Sequence, residues 1–171
     1  MNVFDFAMKM EVDGKAYYEK LAAESTLAGL RGIFERLAAD EQKHFEIFRA
    51  LQQEDLAQTM QNSTSLAEAR TVFAGLLDRP GAGQQVGGDV AAYRHAMKLE
   101  ADSFRLYEDA AAREQRAVVK DLLLKIAEEE HQHFIVLENI YHFVNAPNQY
   151  LAWGEFSNLG EFRQFGRDVD E

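Results

Sequence analysis

Two stretches of this chain place a carboxylate and an imidazole three residues apart. Glu41 and His44 lie in LAADEQKHFEIF (residues 37–48), and Glu130 and His133 lie in IAEEEHQHFIVL (residues 126–137). On a helix, positions three apart share a face. In the second stretch that face is otherwise apolar, with Leu122, Leu123, Ile126, Leu137 and Ile140 on one stripe. A carboxylate and an imidazole set into a core stripe break the local pattern, and such breaks mark functional positions. Carboxylate oxygens with imidazole nitrogens, and no thiolate, are a donor set suited to iron or manganese.

The two stretches are copies at an offset of 89 residues. The same offset sets MKMEVDGKAYYEKLAAES (residues 8–25) on MKLEADSFRLYEDAAARE (residues 97–114), with 8 of 18 positions identical. The identities include Glu11 with Glu100 and Tyr18 with Tyr107. Glu11 precedes Glu41 by 30 residues, and Glu100 precedes Glu130 by 30. In two antiparallel hairpins of equal length, these groups meet at one level. Four buried carboxylates without partners would be very costly. Two divalent metals held between them would neutralise that charge, at a separation of about 3.5–4 Å that handles both oxygens of O₂ or peroxide.

Four long helices must position this set. The first is expected from Val3 to Glu24, with Asn2 as N-cap and Phe4, Met8, Glu11, Tyr18 and Ala22 inward. The second runs from Leu27 to Gln53, capped by Thr26, with Leu30, Phe34, Leu37, Phe48 and Leu51 inward beside Glu41 and His44. The third runs from Val90 to Glu114, capped by Asp89, with Tyr93, Met97, Phe104 and Tyr107 inward beside Glu100. The fourth runs from Ala117 to Val144, and the two prolines, Pro80 and Pro147, fall outside all four. Residues 54–88 form a connector whose Ser65-Leu-Ala-Glu68 reads as a capping box opening a short helix to Leu77. Pro80 and the glycines at 81, 83, 87 and 88 end it. That glycine stretch lacks the spacing of a phosphate loop. Hairpin, connector and hairpin imply an all-α, ferritin-like four-helix bundle, with the long crossover bringing the second and third long helices side by side. This bundle is expected over residues 1–147. An aromatic tail over 148–171, with Tyr150, Trp153, Phe156, Phe162 and Phe165, is expected to pack on it or on a second subunit.

Composition narrows the partners. With 47% hydrophobic residues in 171, the chain can bury one sizeable core. Its net charge of −11 argues against nucleic acid or an anionic membrane surface. No run approaches the ~20 apolar residues of a membrane span. The N-terminus, with Asp5 and Lys9, does not read as a signal peptide, so a cytoplasmic location is expected. The chain has no cysteine, which excludes disulfides, thiolate zinc sites and iron–sulfur clusters. A further Glu-x-x-His, Glu128 with His131, falls out of the repeat, its counterparts being Ala39 and Gln42; a solvated face is expected there. His95 and His142 also lie outside the repeat frame and are expected to be structural.

One glutamate from each of two helices and a Glu-x-x-His from each of the other two is an established ligand set of ferritin-like di-iron and di-manganese proteins. Over residues 3–145 the chain resembles the di-iron domain of the rubrerythrin family. The resemblance implies that Glu41 and Glu130 bridge two iron ions per chain, with manganese as an alternative. It implies Glu11 and Glu100 as terminal ligands, and His44 and His133 as one nitrogen donor per metal. Tyr18 and Tyr107 would each hydrogen-bond a ligand carboxylate. The implied activity is reduction of hydrogen peroxide or O₂, in a homodimer fed by an external electron donor such as a rubredoxin. Ferroxidase or iron-storage activity, and a metal-stabilised scaffold without turnover, are the rival readings. Two departures stand out. Ser103 occupies a position where rubrerythrins carry a further glutamate, which implies a more symmetric metal pair. With no cysteine, a rubredoxin domain is not expected.

Overall fold

A computed structural model describes residues 3–57, 60–77, 90–145 and 165. Among these residues are five helices: α1 (Val3–Glu24), α2 (Ala28–Gln52), α3 (Ser65–Leu77), α4 (Val90–Arg113) and α5 (Ala117–Asn145). No strand occurs among them, and the architecture is the ferritin-like helical bundle. The expected caps Asn2 and Asp89, the glycine stretch after Pro80, and the tail apart from Phe165 lie outside the described residues.

The helices form for the reasons the pattern gives. The expected inward positions of α2 and α4 are all buried. On α1, Met8 is only partly covered, and Ala7 and Leu21 take buried places beside Phe4, Tyr18 and Ala22. Exposed i,i+4 pairs such as Lys9–Asp13 and Lys20–Glu24 decorate the outer face of α1. Such pairs contribute about 0.3–0.5 kcal/mol each, so apolar burial rather than surface charge holds the helix in place.

Two local expectations are corrected. Helix α2 starts after Leu27, which sits in extended backbone at the N-cap and makes no side-chain cap, so Thr26 is not the cap. The turn is closed instead by the Ser25 hydroxyl on the Leu21 carbonyl (2.7 Å) and by Arg31 on the Ser25 carbonyl (3.1 Å). Ser65 does not form the expected capping box. It is Thr64 whose hydroxyl meets Glu68 (2.6 Å), while the Ser65 hydroxyl donates to Asp40 on α2 (2.6 Å).

Packing sets the topology. Helix α1 pairs with α2, and α4 with α5; the hairpins then meet along two seams, α1 with α4 and α2 with α5. Helices α2 and α4 are therefore diagonal, not side by side as expected from the crossover. The ligand-bearing α2 and α5 meet directly, and the crossover only has to bring α4 onto α1. Helix α3 lies over α2 and α5. Its Phe73 packs edge-on against Phe143 at 5.4 Å, and Arg36 pairs with Glu68 at 2.5 Å. Gly29 makes the close approach possible, since a Cβ there would meet Val72 at 2.7 Å.

Aromatic layers close the bundle interior above and below one level. Phe34 lies against Tyr18 (6.5 Å) and Tyr93 (6.1 Å) on one side. Phe48 lies against Phe4 (6.4 Å) and Tyr107 (4.9 Å) on the other. From the tail, Phe165 packs edge-on against Phe134 at 4.9 Å, and its carbonyl accepts from Arg105 at 2.8 Å.

Candidate metal centre

Between the two aromatic layers the structure brings together all six residues singled out by the repeat. Glu11, Glu41, His44, Glu100, Glu130 and His133 are each at most 3% exposed. They form two overlapping groups, each able to offer four donor atoms within 4.8 Å of one another: Glu11, Glu41, His44 and Glu130, and Glu41, Glu100, Glu130 and His133. Glu41 and Glu130 belong to both groups. Glu11 with His44, and Glu100 with His133, belong to one each.

The geometry repeats about a pseudo-twofold axis. His44 Nδ1 lies 2.9 Å from Glu130 and 3.6 Å from Glu11. His133 Nδ1 lies 3.2 Å from Glu41 and 3.6 Å from Glu100. The imidazole rings are 5.9 Å apart. None of these contacts has hydrogen-bond geometry. One buried atom from each of the six residues is left without a hydrogen-bond partner: Oε2 of Glu11 and Glu100, Oε1 of Glu41 and Glu130, and Nδ1 of both histidines. Buried polar atoms are normally satisfied. Six convergent exceptions, all of them metal-donor atoms, fit a pair of cations.

The outward atoms are engaged. The Tyr18 hydroxyl donates to Glu100 Oε1, and the Tyr107 hydroxyl to Glu11 Oε1, so each tyrosine crosses to the other hairpin's glutamate. His44 Nε2 lies 3.0 Å from Glu129, and His133 Nε2 lies 3.3 Å from Asp40. An Nε2–H donated to a carboxylate leaves the Nδ1 lone pair directed inwards, the tautomer a metal needs.

Asp40 and Glu129 were not singled out as functional from sequence. Each directly precedes the glutamate of a Glu-x-x-His, and the two are partners at the 89-residue offset. An acid next to a motif reads as helix surface; their equivalence in the repeat was the available signal. Lys43 joins them, 2.9 Å from Glu129 and 3.3 Å from Asp40. The connector completes the cover. The Ser63 amide donates to Glu129 at 2.7 Å, and the hydroxyls of Ser63 and Ser65 donate to Asp40.

Electrostatics follow from this arrangement. Burial, then the neighbouring Glu41 carboxylate, pushes Glu11 up to about 8. Burial, then Glu100 and Glu11, raises Glu130 well above the carboxylate range. For His44, burial opposes the charged ring, but Glu11, Glu129 and Glu130 outweigh it and raise its pKa. His133 is raised in the same way by Glu100, Asp40 and Glu41. Burial opposes ionisation of Asp40, yet His133 and the two serine hydroxyls hold it well below its ordinary value. Glu129 is held down, against burial, by His44 and Lys43. Burial, then Glu11, raises Tyr107, so it remains a neutral donor.

The remaining candidates stand apart. Glu128 is exposed, and His131, 3.9 Å from it, is largely covered rather than solvated, with its ring 6.0 Å from Phe104. His95 is exposed and packs edge-on to Tyr17 at 5.1 Å; His142 lies beside Tyr141. Ser103 is 8% exposed and buried near the centre, bringing no carboxylate to it.

A helical bundle with duplicated, buried Glu and His donors defines a ferritin-like carboxylate–histidine metal protein. The rubrerythrin family model matches residues 2–141. The chain belongs to the rubrerythrin family, whose di-iron domain implies iron binding. No curated protein and no solved structure matches it. Among the described residues, no helix is long and apolar enough to cross a membrane.

Proposed function

We propose that this protein is a di-iron oxidoreductase that reduces hydrogen peroxide. Glu41 and Glu130, common to both donor groups, would be shared by two iron ions, with Glu11 and His44 holding one and Glu100 and His133 the other. The observation that carries this reading is the set of six inward donor atoms, one per residue, that lack any protein partner. Four carboxylates balance two divalent ions, so the loaded centre is close to neutral in a dry core.

When bound, the ferrous pair supplies two electrons, one per ion, which with two protons convert one H₂O₂ to two waters. The chain's own residues supply position and dryness. Tyr18 and Tyr107 hold Glu100 and Glu11 by neutral hydrogen bonds and so fix the direction of the free oxygens. Asp40 and Glu129 hold the imidazoles in the donor tautomer and raise their basicity. The layers of Phe34 and Phe48 keep bulk water from the centre. Electrons return from a separate donor protein.

The test is anaerobic loading with two ferrous ions per chain, then rapid mixing with H₂O₂ or with O₂. Oxidation much faster with peroxide is expected. Faster oxidation with O₂ would replace this reading with an oxidase or ferroxidase, and bound iron inert to both would leave a structural metal site.

A further inference from the structure

The two seams between the hairpins treat the centre differently. The α2–α5 seam is filled by Asp40, Glu129, Lys43 and the connector serines. The α1–α4 seam holds a small cavity of about 60 Å³, whose floor is formed by Glu41, Glu100 and Glu130. Its walls include Met10 and Gly14 from α1 and Leu99 and Ser103 from α4. Met10 pairs with Leu99, and Gly14 with Ser103, at the same 89-residue offset that relates the two ligand sets. The cavity lies beside the two glutamates shared by both donor groups, displaced toward Glu100.

Gly14 lies close against the floor. A Cβ there would lie 3.2 Å from Glu41 Oε2 and 3.4 Å from its Cδ. Glycine inside a helix costs ~1 kcal/mol relative to alanine. The fold carries that cost in the middle of α1, where any side chain would press on a shared carboxylate. Across the cavity, Ser103 is the smallest polar side chain. One water takes roughly 10–15 Å³ of such space, so the cavity has room for a few small molecules. O₂ or H₂O₂, each of two heavy atoms, fits that space. Asp13, 3.5 Å from Lys9, also lines the cavity, so its wall is acidic and favours a neutral guest over an anion.

We propose that the α1–α4 seam is the entrance by which small neutral molecules reach the metal centre, with Gly14 and Ser103 setting its width and Met10 and Leu99 its rim. The inference rests on the metal-centre reading above, and it adds the side of the bundle from which the substrate arrives.

The probe is nitric oxide, a neutral diatomic, mixed anaerobically with the full chain loaded with ferrous iron. Absorbance gives the association and dissociation rates, and iron content is measured on the same samples. Ser103→Leu fills the cavity and is expected to slow association about tenfold, within the range over which variants of one site change on-rates. Dissociation should slow in parallel, leaving affinity nearly unchanged. Leu99→Ala opens the rim and is expected to speed both rates. Gly14→Ala should slow association as Ser103→Leu does, with some disturbance of Glu41. A merely structural role would change iron content or affinity without this matched change in both rates. Unchanged rates in Ser103→Leu and Leu99→Ala, with iron content intact, would overturn the entrance. A wild-type chain that takes up no iron would instead overturn the metal-centre reading, and the entrance with it.

Discussion

The two faces of the centre are held by opposite kinds of chemistry. Toward α1 and α4, the outer oxygens of Glu11 and Glu100 accept from the hydroxyls of Tyr107 and Tyr18, and burial keeps Tyr107 neutral. Toward α2 and α5, the imidazoles lean on Asp40 and Glu129, carboxylates that remain ionised and share Lys43. Neutral donors withdraw charge from the anionic ligands, while anionic acceptors push charge onto the neutral ones. The difference teaches that the duplication preserves more than the donor atoms. It preserves what stands behind four of the six, a hydroxyl behind Glu11 and Glu100 and a carboxylate behind His44 and His133.

The sharpest way to break this comparison is to remove a group common to both halves. Glu130→Ala deletes a donor from both groups of four, and two-metal loading is expected to be lost. A variant still holding two irons per chain by elemental analysis would refute the assignment. Next come the carboxylates behind the imidazoles. Asp40→Asn and Glu129→Gln should each weaken metal binding about 10- to 100-fold, the usual effect of losing such a partner. Each should act on one of two binding steps, Asp40 through His133 and Glu129 through His44, so a titration that resolves both steps tests the pairing.

Proton coupling separates the metal-free from the loaded protein. Glu11 is pushed up to about 8 by burial and then by Glu41, so between the ordinary carboxylate value and about 8 the folded chain binds more protons than the unfolded one. The stability this contributes is present at low pH and is lost as pH rises through that window. The melting temperature of the metal-free protein should thus fall as pH rises from 4.5 to about 8. Asp40 and Glu129 do not mask the effect, because their lowered values place their own loss of stability in more acidic solution. Metal binding requires ionised ligands, so loading should release protons and affinity should rise across the same window. A metal-free melting temperature that climbs with pH would contradict the burial of these carboxylates. The smallest effect is expected on the tyrosine face. Tyr107→Phe leaves a Glu11 oxygen without its donor and should cost about 1–3 kcal/mol in denaturant unfolding, with two-metal loading retained.

Much of this was legible in the sequence because duplication exposes residues that do not suit their place. A single Glu41 and His44 in an apolar stripe is weak; a second set at offset 89, each with an upstream glutamate 30 residues earlier, is strong. Helix ends were legible to within a residue or two. What escaped were relations that no periodicity carries. The diagonal placement of α2 and α4 is decided by how the two hairpin faces interlock, and crossover length is silent about it. Asp40, Glu129 and Lys43 look like an ordinary charged helix edge until the partner helix and the connector cover them. Ser65 reads as a cap because its own helix offers a partner three residues on, but Asp40 offers a stronger, ionised one.

The Ser63 amide, bonded to Glu129, gives the molecule an internal clock. The hairpins α1–α2 and α4–α5 are built from contacts close in sequence, and such contacts form early. The connector can seat on Glu129 and Asp40 only after α2 and α5 have met, since it reads one carboxylate from each. Hydrogen exchange at that single amide therefore reports assembly of the whole rather than of either half. Its protection should arrive last during refolding and disappear first when the halves part.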